Sequence, residues 1–309
     1  MLENITFNVP DDGQGVRLDS FLAQRLDSVS RSKVRRWIES GCVEVGGRPR
    51  KPGYSLSSGQ TIVIHPPPPE PCTLVPEDLP LEILYEDASM VVLNKQAGIV
   101  VHPGAGNWRG TLANALAFHW ERLSYGESLR PGIVHRLDKG TSGVLLVAKN
   151  ETAHEALARE FRERRVRKVY IALLYGHLQP ASGTIDLAIG RDRRVRTRIS
   201  PRTDRPRSAV TRYQVIRHVQ DFSLVRAVPF TGRTHQIRVH FHHLGHPVVG
   251  DTTYTIRGLS KLPTSLGSFD RLFLHARSLE IRHPVTGERM KFEAPLPSAL
   301  EELMVTLGE

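Results

Sequence analysis

Ile133-Val134-His135-Arg136-Leu137-Asp138-Lys139-Gly140-Thr141-Ser142-Gly143 runs directly into Val144-Leu145-Leu146-Val147-Ala148-Lys149. A polar loop punctuated by two glycines feeds a continuous apolar run. The run is short and flanked by turn residues, so it reads as a strand buried on both faces. The loop carries one carboxylate, Asp138, just ahead of that rigid strand, where catalytic groups are often placed. Taken alone, Asp138 reads equally well as a turn residue.

Outward from this segment, Ile83 to Tyr85, Met90 to Asn94, Val169 to Tyr175, Ala209 to Arg217 and Phe222 to Val228 read as strands. Thr111 to Trp120 and Thr152 to Arg165 read as helices. The order lacks the regular strand–helix alternation of a doubly wound sheet. The spacing therefore predicts an α+β domain on a mixed, largely antiparallel sheet. The run Pro66-Pro67-Pro68-Pro69 can continue neither a helix nor a central strand, and it stiffens into an extended spacer. It separates a small unit, residues 15–65, from a large one, residues 76–309, through a linker at 66–75.

In the small unit, Leu18, Phe21, Leu22 and Leu26 have helical spacing. A second helix begins near Ser30 or Ser32, either of which can cap it, and Gly41 ends it. Its apolar side carries Val34, Trp37 and Ile38. Its other side carries Arg31, Lys33, Arg35 and Arg36. Val43-Glu44-Val45, the turn Gly46-Gly47 and a strand at Thr61 to Ile64 follow.

The chain has 309 residues and a formal net charge of +10, which favours a polyanionic partner. Two cysteines, Cys42 and Cys72, cannot build a disulfide framework or a four-thiolate zinc site, and they suit a reducing cytoplasm. The N-terminus has no apolar segment of signal-peptide type, and the longest apolar runs are too short to span a bilayer, so no membrane role is expected.

Three decoys are set aside on spacing. A kinase catalytic loop reads His-Arg-Asp, whereas Leu137 separates Arg136 from Asp138 here. His235, His240, His242, His243 and His246 lack a thiolate pair or a His-Glu-x-x-His motif. On a strand, His240 and His242 would share a face and His243 would point away. His102-Pro103-Gly104-Ala105-Gly106-Asn107 lacks the third glycine of a dinucleotide loop.

RLDSFLAQRL, SRSKVRRWIESGCVEVGG and the closing TIVI resemble an S4 RNA-binding domain (αL-like). HRLDKGTSG resembles the signature of the RluA family of pseudouridine synthases. LNKQAGIVVHPGAGN before it agrees in order, as do RKVYIALLYG, TGRTHQIRVHFHHLGHPVVGD and LHARSLEIRHP after it. The wording is most similar to the subgroup acting on large-subunit ribosomal RNA. The resemblance implies an isomerase that needs no cofactor and no metal. It acts as a monomer on structured RNA, within large-subunit ribosomal RNA or a pre-ribosomal particle.

By the same resemblance Asp138 is the catalytic carboxylate and Tyr170 packs on the target uracil. Arg233 pairs with Asp138 and keeps it ionised. Arg136 fills the stack when the base leaves it, and His135 beside it contacts substrate. Ile237 and Leu274 form apolar pocket walls. The S4 residues Arg31, Lys33, Arg35 and Arg36 meet RNA phosphates, and the arginine-rich stretch Arg191 to Arg207 is loosely assigned to the same task. One carboxylate suits isomerisation better than glycoside hydrolysis, which uses two. Attack at C1′, attack at C6 and removal of the 2′ proton all stay open. The competing expectations are a non-catalytic RNA-binding or ribosome-assembly factor and, more distantly, a metal hydrolase.

Overall fold

The computed structural model describes residues 4–26, 29, 31–66, 74–104, 107–120, 131–258 and 269–308, except for the side chains of Ser32 and Lys33. Contacts divide the chain into Met1–Cys72 and Thr73–Glu309. Most of the proline-rich linker lies outside the described residues, as do Ser30 and the side chain of Lys33.

The N-terminal unit packs α1 (Leu18–Arg25) and α2 (Arg31–Glu39) against a four-stranded antiparallel sheet. Its strands are β1 (Ile5–Asn8), β2 (Val43–Val45), β3 (Arg48–Pro49) and β4 (Thr61–Ile64), in the order β1-β4-β2-β3. Leu18, Phe21, Leu22, Val34, Ile38, Val43, Val45, Ile62 and Ile64 form its core. Ahead of the expected residue 15, β1 pairs along the whole of β4 and adds a strand to the sheet. Arg31, Arg35 and Arg36 are exposed on α2. Arg31 contacts Asp19 at 3.2 Å and Arg35 contacts Glu39 at 2.8 Å. Asp19 is buried while the Arg35–Glu39 pair is exposed on both sides and therefore weak, which leaves Arg35 open to a phosphate.

The second unit is built on a nine-stranded sheet. Its strands are β5 (Ile83–Glu86), β6 (Met90–Lys95), β7 (Ser142–Ala148), β8 (Arg167–Tyr175), β9 (Ser182–Asp186), β12 (Val210–Val219), β13 (Phe222–Pro229), β14 (Leu274–Arg282) and β15 (Arg289–Glu293). The order is β5-β6-β7-β14-β8-β13-β12-β9, with β15 beside β14. β7 and β14 are parallel and the other pairs antiparallel. A small ribbon, β10 (Gly190–Arg191) and β11 (Ile199–Ser200), stands apart.

Helices cover both faces, which explains the continuous apolar runs. Val144, Leu146 and Ala148 of β7 meet Ala153 and Leu157 of α4 (Glu151–Arg162). Leu145 and Val147 meet Leu112, Ala113 and Leu116 of α3 (Leu112–His119) on the other face. Likewise Ala172 and Leu174 of β8 face Ile237 and Phe241 of α5 (Gln236–His243). Leu173 and Tyr175 face Leu300, Leu303 and Met304 of α6 (Ser298–Thr306).

The strand expected around His240 and His242 is a helix, α5. Residues 236–241 are all buried, so the helical period is masked and the alternation of Ile237, Val239 and Phe241 mimics a strand.

Candidate active site

Asp138 sits at the end of a loop stitched onto β7. Ala148 N–H donates to Gly132 O at 2.8 Å and Ile133 bridges to Val147. His135 continues the seam, because its Nε2 accepts from Leu146 N–H at 2.9 Å and its ring stacks on Phe161 with centroids 4.5 Å apart. Burial drives the His135 pKa down to about 3, so this imidazole is neutral. It lines the cleft, but its Nε2 is spent on the backbone, which makes it a scaffold for the loop before it is a substrate contact. Leu137 then plugs the core between β6, β7 and α3. A turn closed by Thr141 N–H on Asp138 O at 3.1 Å turns the next side chain outward.

That side chain opens into a cleft of about 590 Å³. Asp138 lines it with Arg136, Lys168, Tyr170, Arg233, Ile237, Arg238 and Leu274. Asp138 is the sole carboxylate among the lining residues. Its side chain is 17 % exposed.

The expected Arg233–Asp138 pair does not form. Arg233 precedes α5 and its Nε donates to Ser208 O at 3.2 Å. Arg238 takes the place: its Nη1 lies 3.2 Å from Asp138 Oδ2. The cause is local geometry. His235, at φ 54° and ψ 18°, is left-handed and starts α5, so Arg238 falls on the first helical turn and faces the cleft. Gln236 ties the preceding segment down, accepting from Arg233 N–H and Thr231 Oγ1 and donating to Val210 O and Thr211 Oγ1.

Arg238 is itself fixed from behind. Nε and Nη2 grip the fully buried Asp251 at 2.7 and 2.9 Å, a two-pronged contact that leaves Nη1 for Asp138. Asp251 also accepts from Thr253 and Tyr254 N–H. The Tyr254 ring lies 5.0 Å under the guanidinium, and its hydroxyl meets His235 Nδ1 at 2.8 Å and Ile199 N–H at 3.0 Å. The two carboxylates push the Arg238 pKa further up against the effect of burial, so it is cationic throughout.

Two further groups frame the carboxylate. Tyr170 packs between the cores on either side of β14, and burial first, then the Asp138 charge, raises its pKa. Its phenol is therefore neutral. Lys95, absent from the sequence expectations, is buried at the end of β6. Its Nζ donates to Gln96 O at 2.7 Å, Ile99 O at 2.9 Å and Lys139 O at 3.5 Å. It pins the Asp138 turn to the loop after β6. Burial lowers its pKa to about 7, opposed by Asp138. The signal was a lysine closing the apolar run MVVLNK, where a buried charge needs a reason.

Arg136 is exposed, with Nη1 3.5 Å from His102 Nε2. Ile237 and Leu274 are buried apolar walls. Three more histidines of the cluster go to structure: His240 Nε2 to Leu187 O, His242 Nε2 to Thr255 O and His246 Nδ1 to Tyr175 O, while His243 is exposed. Among the described residues no group of three His, Cys, Asp or Glu is placed to hold a metal ion.

Comparison with known proteins matches this layout. A family described as RNA pseudouridylate synthase covers residues 89–243, and the S4 domain covers 16–62. An uncharacterized RNA pseudouridine synthase of Chlorobaculum parvum is 44% identical over 316 residues, spanning 96% of this chain and 95% of that protein. Ribosomal large subunit pseudouridine synthase D of Xanthomonas campestris pv. campestris is 41% identical, spanning 97% and 92%. The solved structure of human RNA pseudouridylate synthase domain containing 1 shares 32% identity at a TM-score of 0.57, over 77% of this chain and 97% of that one. With its own S4 domain in front, the chain belongs to the RNA pseudouridine synthase family.

Proposed function

We propose that this enzyme isomerises uridines of large-subunit ribosomal RNA, with Asp138 as its catalytic carboxylate. The observation that carries the proposal is the lone cleft carboxylate, held by Arg238 in the same cleft as Tyr170. The reaction breaks the N1–C1′ bond of uridine, turns the uracil and joins C5 to C1′. The proton leaving C5 is balanced by one gained at N1, so nothing enters from outside and no electron is exchanged. Asp138 can attack, stabilise positive charge or accept a proton near C1′. Arg238 fixes the direction in which the carboxylate points. Tyr170, neutral, presents a ring face for the uracil. Ile237 and Leu274 exclude water beside it.

The target base must leave its stack to enter the cleft, at a cost of a few kcal/mol. Arg136, exposed at the rim, can occupy the vacated space, and stacking on Tyr170 offsets the rest. Arg31, Arg35, Arg36 and the arginines of 191–207 supply phosphate contacts that position the RNA without reading its sequence. The names borne by the relatives favour ribosomal RNA as substrate. A monomer working on pre-ribosomal RNA in the cytoplasm fits the charge and the cysteine usage.

Site-resolved pseudouridine mapping of total RNA from cells with and without the gene tests this reading. Loss of pseudouridine at one or a few uridines of large-subunit ribosomal RNA is expected. An unchanged map would contradict the activity, and changes confined to transfer RNA would contradict the substrate.

A further inference from the structure

Strand β8 sends two side chains into the cleft, Lys168 and Tyr170, while Arg167, Val169 and Ile171 line a groove on the opposite face. Tyr170 has a role in the account above and Lys168 has none. Its ammonium reaches toward the segment before α5: a Cβ placed on Gly232 would lie 3.9 Å from Lys168 Nζ. Among the described residues no carboxylate pairs with it. The cleft is lined by Arg136, Arg162, Arg164, Arg233 and Arg238 besides Lys168, against the single acid Asp138, which Arg238 engages. Burial alone acts on Lys168, lowering its pKa to about 8, whereas the Asp138 charge is felt at Tyr170.

An ammonium drawn partly out of water without a counter-charge costs free energy. Such a group persists where a ligand supplies the missing anion. The position says which anion. Lys168 lies two residues along the strand from Tyr170 on the same face, about 6.6 Å between their backbone positions. That is the scale of the distance from a uracil ring to the phosphodiester beside it.

We propose that Lys168 binds a phosphodiester flanking the target uridine and so seats the flipped nucleotide over Tyr170. This rests on the RNA-isomerising function proposed above. It assigns Lys168 to substrate binding, with no part in bond making.

The test compares full-length wild type, Lys168→Gln and Lys168→Arg on transcribed large-subunit ribosomal RNA. Lys168→Gln is expected to raise KM about tenfold or more, the loss of one charge-assisted contact, with kcat little changed. Its slope of log KM against log salt should be shallower by about one. Lys168→Arg should keep most of the affinity. The free Lys168→Gln protein should melt no lower than wild type, since no ion-pair partner among the described residues is lost. An unchanged KM and salt slope would overturn the proposal. So would a fall in kcat at constant KM, or a lowered melting temperature that accounts for the loss. Wild type that forms no pseudouridine would instead defeat the underlying function, an outcome distinct from a wild type matched by Lys168→Gln.

Discussion

At the scale of single residues, the site turns on which arginine of Thr231-Gly232-Arg233-Thr234-His235-Gln236-Ile237-Arg238 meets the carboxylate. Arg238 does so while gripping Asp251, and lysine cannot make both contacts because it lacks the fork. Arg238→Lys should lower kcat by about 100-fold, the scale of a small misplacement of a catalytic group, with RNA affinity retained. Arg238→Met should also destabilise the fold, because leaving a buried carboxylate unpaired costs about 3–5 kcal/mol. Arg233→Met should leave kcat unaltered. Single-turnover kinetics and urea denaturation read these outcomes, and equal losses of kcat at both positions would contradict the assignment. Motif resemblance pointed to Arg233 and passed over Arg238, since the pairing depends on a left-handed His235 that sets the helix start.

Among the elements, β7 was readable because both of its faces are covered, so its residues form one apolar block. β6, β8 and β13 were readable on the same ground, within a residue or two at their ends, and β12 from its alternation of buried and exposed positions. β14 was not: a register shift between Ala276 and Ser278 breaks its alternation, and it carries His275, Arg277, Ser278 and Glu280. α5 was misread because burial on nearly every side hides its period. β1 is a short strand whose partner is distant in sequence, and β15 is the short, largely exposed second arm of a hairpin with β14.

The same elements explain why Gly143 follows the Asp138 loop. Its φ is 111°, and a Cβ there would stand 2.2 Å from Ala276 O across the parallel β7–β14 contact. Gly143→Ala should therefore cost at least about 3 kcal/mol, combining backbone strain with separation of the two strands. Urea denaturation measures this. A wild-type midpoint would show that the close approach is not needed.

For the molecule as a whole, a +10 chain couples a basic S4 unit to a catalytic unit with its own cores. Charge and order of domains were legible from the sequence, as was the RNA partner. Of the spatial company of Asp138, Tyr170 was named through the family resemblance, but Lys95 and Arg238 were not, because they come from elements far apart in the chain. In the proposed function Asp138 performs the isomerisation and the rest of the protein delivers RNA to it. The most direct measurement is pseudouridine formation by Asp138→Ala beside wild type on the same ribosomal RNA, with RNA binding followed in parallel. The account predicts no pseudouridine from the variant and undiminished binding; pseudouridine formed at the wild-type rate would contradict it.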